Sequence, residues 1–271
     1  MVRIALFQAR TGIDPARNAS DLVEAIEGAQ QGGAAMLFTP EMSGLLDRDR
    51  QRAARHIVEE SANPVLAAAR EAATKYGIWV AIGSLAVAGR GERWANRSFV
   101  INASGDIAAR YDKMHMFDVE LADGESWRES NAYAPGDKVV TVETPVGRLG
   151  LTVCYDIRFP ALFEALGRAE CDVIAIPAAF TRPTGLDHWH VMQRARAIEA
   201  SAFVVAAAQA GDHEDGRSTF GHSLVVDPWG KVLLDMGTEA KGIAFAEIDP
   251  ARIADVRRQV PSLANRRKII N

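Results

Sequence analysis

Apolar and polar positions change period repeatedly along the chain, and each change marks a boundary between strand and helix. Residues 2–9 alternate apolar and polar side chains in part, the period of a strand. Between Asn18 and Ala29, the residues Leu22, Val23, Ile26 and Ala29 form a helical stripe, with Asn18 or Ser20 as the expected cap. Residues 34–39 read as a short buried strand that stops at Pro40. A helix following Asn63-Pro64 runs to about Tyr76, and a strand over 78–87 comes next. Residues 99–102 and 107–112 flank the turn Ala103-Ser104-Gly105-Asp106 and predict a hairpin.

The pattern then dissolves over 114–136 into a long polar loop, a length that in a compact protein usually carries function. Strands at 139–143 and 148–154, a helix over 160–168 and a strand over 172–177 follow. A helix over 189–200 leads to a strand at 203–208. A second hairpin is expected from 223–227 and 232–235 around Pro228-Trp229-Gly230. A strand over 242–248 and a helix over 250–258 complete the pattern. Helical crossovers mixed with hairpins predict an α/β mixed (α+β) fold whose sheets are partly parallel and partly antiparallel. No repeat, low-complexity tract or flexible linker interrupts it, so one domain over 1–271 is expected.

Composition narrows the function classes. With 271 residues, 48% hydrophobic and 24% charged, the chain has the make-up of a soluble globular protein with a substantial core. A formal charge of −4 with no long like-charge run argues against nucleic-acid and membrane-surface partners; Arg266-Arg267-Lys268 reads as a solvated tail. The longest apolar runs, such as 173–176 and 203–208, are strand-sized and far short of the ~20 residues that span a bilayer. Residues 1–7 read as a first strand rather than a signal peptide. Two cysteines, Cys154 and Cys171, are no disulfide framework, so a reducing cytoplasm is the expected location.

Three reactive groups fall just past strand ends: Glu41 in Thr39-Pro40-Glu41-Met42-Ser43-Gly44, Lys113 after 107–112, and Cys154 before Tyr155-Asp156-Ile157-Arg158. Ligands of open α/β sheets gather at that edge. A thiol with a free pKa of ~8.5 needs a base or a cation to become a nucleophile. A carboxylate can take its proton and pass it to a departing amine, and an ammonium can steady an oxyanion, with the Tyr155 N–H as a second donor. Taken singly, each residue also has an ordinary structural reading: a core cysteine, a capping glutamate, a solvated lysine. Three other chemistries stay open on the residues alone. A papain-like hydrolase would use His222 as base, a carboxylate-pair glycosidase would use Glu41 and Glu129, and a non-catalytic assembly module would use none of them. His188 and His190, two apart, point to different faces of a helix and predict no metal site. The acidic stretch 211–216 reads as a solvated loop and Gly89-Arg90-Gly91 as a turn, with no phosphate-binding loop after any strand.

Longer strings sharpen the choice. Pro40-Glu41, Tyr111-Asp112-Lys113-Met114-His115-Met116-Phe117-Asp118 and Gly150-Leu151-Thr152-Val153-Cys154-Tyr155-Asp156-Ile157-Arg158-Phe159-Pro160 resemble the three signature blocks of the nitrilase (carbon–nitrogen hydrolase) superfamily. Arg128-Glu129-Ser130, Thr184-Gly185 with His188-Trp189, Arg194-Ala195-Arg196-Ala197-Ile198-Glu199, Gly221-His222-Ser223 and Asp227-Pro228-Trp229-Gly230 match in the same order over nearly the whole chain. The resemblance implies an αββα two-sheet sandwich that pairs into homodimers or higher homo-oligomers. It implies no metal or organic cofactor. It also implies Cys154 as nucleophile, Glu41 as base and then acid, Lys113 as oxyanion stabiliser, and Glu129 as a second glutamate positioning Lys113 and substrate. The chain looks most like the Nit-type branch, which includes ω-amidases and amidases acting on deaminated glutathione. Substrates of that kind carry a carboxylate near the amide, for which Arg158 is the expected partner and Thr184 an added hydroxyl. The expected reaction is hydrolysis of a small acid's linear carboxamide to acid and ammonia through a thioester, with N-carbamoyl amines as the alternative substrate class. His190 stands where many relatives carry Glu, which leaves substrate detail open.

Overall fold

The computed structural model describes residues 1–89, 91–120, 126–238 and 241–267. The predicted turn at Arg90, the middle of the 114–136 loop and Lys268 of the basic tail lie outside them. The first half of the chain runs β1 (Val2–Gln8), α1 (Pro15–Gln31), β2 (Met36–Phe38), α2 (Arg50–Ala53), α3 (Pro64–Tyr76), β3 (Trp79–Ala88), β4 (Trp94–Ile101) and β5 (Ile107–Asp112). A small hairpin of β6 (Asp118–Glu120) and β7 (Ser126–Arg128) leads to β8 (Thr141–Thr144), β9 (Gly147–Leu151), α4 (Pro160–Arg168), β10 (Val173–Ala175) and α5 (Arg182–Ala200). The rest is β11 (Phe203–Ala206), the hairpin β12 (Ala210–Asp212) and β13 (Ser218–Phe220), β14 (Leu224–Val226), β15 (Val232–Asp235), β16 (Gly242–Ile248) and α6 (Pro250–Gln259).

Two six-stranded sheets have the same plan. One has the order β16-β1-β2-β3-β4-β5 and the other β15-β14-β11-β10-β9-β8. In each, three parallel strands occupy the centre and antiparallel strands flank them. The central strands are buried on both faces, which is why their sequences read as apolar runs. Ile4, Leu6, Met36 and Phe38 point into the core shared with the second sheet, whereas the alternate residues Ala5, Phe7 and Leu37 pack against α1 and α3. On the far side, Phe163 and Leu166 of α4 and Trp189 and Ala197 of α5 cover the second sheet. The layers are therefore helix, sheet, sheet, helix, the αββα sandwich the resemblance implied.

Local chemistry sets the helix ends. Asp14, not Asn18 or Ser20, caps α1, accepting from the Ala16 N–H at 2.9 Å with Pro15 in the first turn. Asn18 is instead buried and bonds the backbone of Gly12 and Gly44. Asn63 caps α3 as its Asn-Pro signal indicated, and Gly77 closes that helix at φ 64°. Helix α5 begins at Arg182, about two turns before the apolar stripe starts at Trp189, because Pro183 and the Thr181 cap position set the start. The acidic stretch 211–216 is not wholly loop; its first two residues end β12, paired with β13. Among the described residues no helix is long and apolar enough to cross a membrane.

Candidate active site

Three chain segments from both sheets end at one cavity of about 270 Å³. Glu41 follows β2 on a loop held from several directions. Thr39 and Ser43 hydroxyls meet at 2.8 Å, the Met42 N–H donates to Ser84 Oγ at 2.9 Å, and Gln209 Nε2 donates to the Glu41 carbonyl at 2.9 Å. Strand β3 passes so close that a Cβ on Gly83 would stand 2.2 Å from the Thr39 carbonyl oxygen, so only glycine fits.

Cys154 opens a 3₁₀ turn, Cys154–Arg158, three residues beyond β9. Its φ is 48°, a left-handed conformation uncommon outside glycine, and its N–H donates to Pro177 O at 2.8 Å. The sequence reading had the strand running through Cys154; the strand stops at Leu151 and the left-handed turn aims the thiol at the cavity. Asp156, fully buried, secures this turn. Its carboxylate accepts from the Val153 N–H (2.9 Å), the Tyr111 hydroxyl (2.6 Å) and the His115 N–H (3.0 Å), and meets His115 Nδ1 at 2.7 Å. One carboxylate thus ties the cysteine turn of the second sheet to the stretch of the first sheet that carries Lys113.

Lys113 follows β5 and is 2% exposed. Its Nζ donates to Glu41 Oε1 at 2.9 Å and to both oxygens of Glu129, at 3.1 and 2.8 Å. Glu129 Oε2 also accepts from the Phe117 N–H at 2.6 Å. Asn96 joins the cluster: its Nδ2 lies 3.0 Å from Glu41 Oε1 and 3.2 Å from Glu129 Oε1, and its backbone carbonyl accepts from the Lys113 N–H. Asn96 was missed in the sequence, although an amide inside the apolar strand Trp94–Ile101 is the kind of buried polar group that demands an explanation.

Charge in this cluster follows from burial and pairing. Burial alone would push the Glu41 carboxyl up, but the Lys113 ammonium and hydrogen bonds from Lys113, the Cys154 thiol and the Ala179 N–H hold it below its ordinary value. Desolvation by itself would raise Glu41; the ammonium at 2.9 Å reverses the sign. Burial pushes the Cys154 thiol well above its ordinary value, with the Glu41 charge adding to it and Lys113 opposing. Burial disfavours the Lys113 ammonium, yet Glu129, Glu41 and Cys154 together push it well above the usual lysine value. The resting cluster is therefore carboxylate, ammonium and neutral thiol. Such a set can move a proton from sulfur to Glu41 while holding negative charge beside Lys113.

The remaining sequence candidates fall in different places. Tyr155 and Thr184 line the cavity, and Thr184 Oγ1 meets Thr181 Oγ1 at 2.8 Å. Arg158 is not among the lining residues; its guanidinium stacks 5.3 Å from the Phe180 ring and lies near His188 Nδ1 at 3.3 Å. No ion pair joins it to Asp156, whose oxygens are occupied as described. His222 does not line the cavity and instead meets Asp235 at 2.8 Å, stacked on Phe220, so it is not placed to serve as a papain-like base. Glu41 and Glu129 share one ammonium rather than flanking a space for a sugar. His190 and His222, distant in sequence, meet on Asp235, with ligand-type atoms of all three within 4.8 Å of one another; both imidazoles bond the carboxylate.

The comparisons with known proteins agree with this geometry. The carbon–nitrogen hydrolase family model matches residues 3–258. A deaminated glutathione amidase of Yersinia enterocolitica is 37% identical over 97% of this chain and 92% of its own. Two solved structures share the fold: the Caenorhabditis elegans NitFhit protein (TM-score 0.90, 34% identity, 98% of this chain and 65% of that longer one) and Saccharomyces cerevisiae Nit3, a member of branch 10 of the nitrilase superfamily (TM-score 0.85, 27% identity, 96% and 94%). With the two-sheet sandwich, the convergent thiol, carboxylate and ammonium, and a family match over nearly its whole length, the chain belongs to the carbon–nitrogen hydrolase family.

Proposed function

We propose that the cavity hydrolyses a linear carboxamide of a small carboxylic or 2-oxo acid, of the deaminated glutathione or α-ketoglutaramate type, with Cys154 as nucleophile. The observation that carries this reading is the buried Glu41 carboxylate, which accepts from the Lys113 ammonium at 2.9 Å and lines the same cavity as the Cys154 thiol. Glu41 takes the thiol proton as the sulfur bonds to the amide carbon. The carbonyl electron pair moves onto oxygen, which the Lys113 ammonium and the Tyr155 N–H stabilise. As that intermediate collapses, Glu41 returns the proton to nitrogen, the C–N bond breaks and the amine departs, leaving a thioester. Water then gives a proton to Glu41 and adds to the thioester carbon. The C–S bond breaks, the proton passes to sulfur, and the carboxylic acid leaves.

Glu129 and Asn96 act through Lys113 and Glu41, holding both at a fixed separation. We assign the acyl-side carboxylate of the substrate to Thr184, on the cavity wall; Arg158, the other residue expected for it, packs against Phe180 outside the lining and is not assigned to it. The reaction as written needs no metal or organic cofactor. A single domain over 1–271, a cytoplasmic location and assembly into homo-oligomers complete the proposal, with neither nucleic acid nor membrane as partner. The first of these is supported by the family match over 3–258, the second by two free thiols, and the third by exposed Val191 and Ile198, seven apart on one side of α5.

Release of amine from deaminated glutathione and of ammonia from α-ketoglutaramate should cease in Cys154→Ala and Glu41→Gln variants. Undiminished turnover in the Cys154→Ala enzyme would end the reading.

A further inference from the structure

Outside the reaction cavity, one cluster of side chains has the donors and the geometry of a cation site. His190 of α5 and His222, just after β13, lie 45 and 13 residues from Asp235 at the end of β15, yet all three meet. His190 Nε2 stands 2.9 Å from one Asp235 oxygen and His222 Nδ1 stands 2.8 Å from the other. The ligand-type atoms of the three lie within 4.8 Å of one another, and none of the residues lines the reaction cavity. His188 faces Arg158 instead and takes no part.

The backbone holds these donors in place. His222 sits at φ 53°, in the left-handed region. Its N–H donates to Gly237 O at 2.7 Å, and its carbonyl accepts from Trp189 Nε1 at 2.8 Å. Trp189 is fully buried and next to His190, so one indole ties the two histidine-bearing segments together. The Gly237 N–H in turn donates to Asp235 Oδ1 at 2.9 Å. Phe220 stacks on the His222 ring with centroids 4.5 Å apart, and the two imidazoles meet edge to face at 5.0 Å. Packing thus closes one side of the cluster. The other side opens to solvent, with the side chains of His190, His222 and Asp235 exposed by 36%, 21% and 33%.

Among the described residues no lysine or arginine pairs with Asp235, so its charge meets no permanent cation. Two imidazoles and a carboxylate suit zinc and its first-row neighbours, whereas calcium and magnesium prefer oxygen donors alone. On a tetrahedral Zn²⁺ with bonds of ~2.1 Å, ligand atoms stand about 3.4 Å apart, so the two N···O contacts need open by only about half an ångström. We propose that His190, His222 and Asp235 form a site for one divalent transition-metal ion, Zn²⁺ by its donor set, separate from the reaction cavity. Each imidazole ligates through the nitrogen that faces Asp235 and carries its proton on the other, and water takes the exposed fourth position. The ion acts as a clip that closes long loops of chain. It joins α5 and β15 to the segment leaving β13, whose Ser218 and Thr219 line the cavity wall.

The test titrates Zn²⁺ calorimetrically into chelator-treated full-length protein carrying Cys154→Ala, so that the cavity thiol takes none of the metal. One equivalent should bind, and Mg²⁺ and Ca²⁺ should not compete. His190→Gln alters a half-exposed helix position, and His222→Asn places a residue that tolerates the left-handed backbone. Each should weaken Zn²⁺ binding by about 100-fold or more, the upper end of what removing an outer supporting residue costs. Saturating Zn²⁺ should raise the Tm of the parent protein and of neither variant. Where a variant fails to fold, Cu²⁺ loaded into the parent decides, since its EPR spectrum should show splitting from two imidazole nitrogens. Less than one equivalent bound, a smaller loss of affinity in either variant, or a Cu²⁺ spectrum without the two nitrogens means an adventitious ion only and overturns the proposal. None of these results touches the amidase reading, because no ligand belongs to the Glu41–Lys113–Cys154 cluster.

Discussion

Replacing Glu129 with Gln keeps its volume and removes one of the two charges that face Lys113. At about 4 Å and an effective dielectric near 20, a unit charge acts on its partner with about 4 kcal/mol, or ~3 pK units. The Gln oxygen can still accept a hydrogen bond from Nζ, which returns about 1 kcal/mol. The Lys113 ammonium, held well above its ordinary 10.5 by two carboxylates in the wild type, should therefore drop back toward the ordinary lysine range. The expected signature is an alkaline limb in kcat/KM, where activity falls as pH rises through the lowered Lys113 value and the oxyanion loses its cation. A loss of about 10- to 100-fold at neutral pH, from the loosened Lys113, should accompany it. Amine release measured from about pH 6 to about pH 10 for both enzymes checks the point. Coincident profiles differing only in height would show that Glu129 does not control the Lys113 charge, and the electrostatic argument would fail.

Three further outcomes follow from the same geometry. Alkylation of Cys154 should track the ionisation of Glu41 rather than that of the thiol: because Glu41 is held below 4.5 and the thiol far above 9.0, the rate should fall only in acid and stay flat through pH 9, and a steep rise near 9 would refute base assistance by Glu41. Gly83→Ala puts a methyl 2.2 Å from the Thr39 carbonyl and must displace the Glu41 loop, with kcat/KM falling about 100-fold; wild-type kinetics in that variant would show that the loop is not set by this approach. Asp156→Asn sets an amide NH2 against the donors of Tyr111, Val153 and His115, and should lower unfolding free energy by about 2–4 kcal/mol in urea titrations as well as activity, whereas unaltered stability would remove Asp156 from its tying role.

What the sequence by itself determined was whatever depends on neighbours along the chain. Period and punctuation gave the central strands, the Asn63-Pro64 helix start and the 107–112 strand, because strand alternation and caps are local. Local strings also marked Glu41, Lys113 and Cys154 as chemistry-bearing. Tertiary structure decided the rest. Strand pairing within the first sheet brings Glu41 to Lys113, only the stacking of the two sheets adds Cys154, and Asp156 joins the cysteine turn to the Lys113 stretch by bonds of sequence separation 41 and 45. Asn96 carries no local mark of its role, and the Asp14 cap displaced a stripe-based choice further along the chain. The sign of the Glu41 shift could not be read from burial alone, since it turns on an ammonium 72 residues away whose distance only the fold fixes. Arg48 and Arg217 likewise come together only where Asp215 and Trp127 hold them, because electrostatics and packing act through space while the sequence records only order.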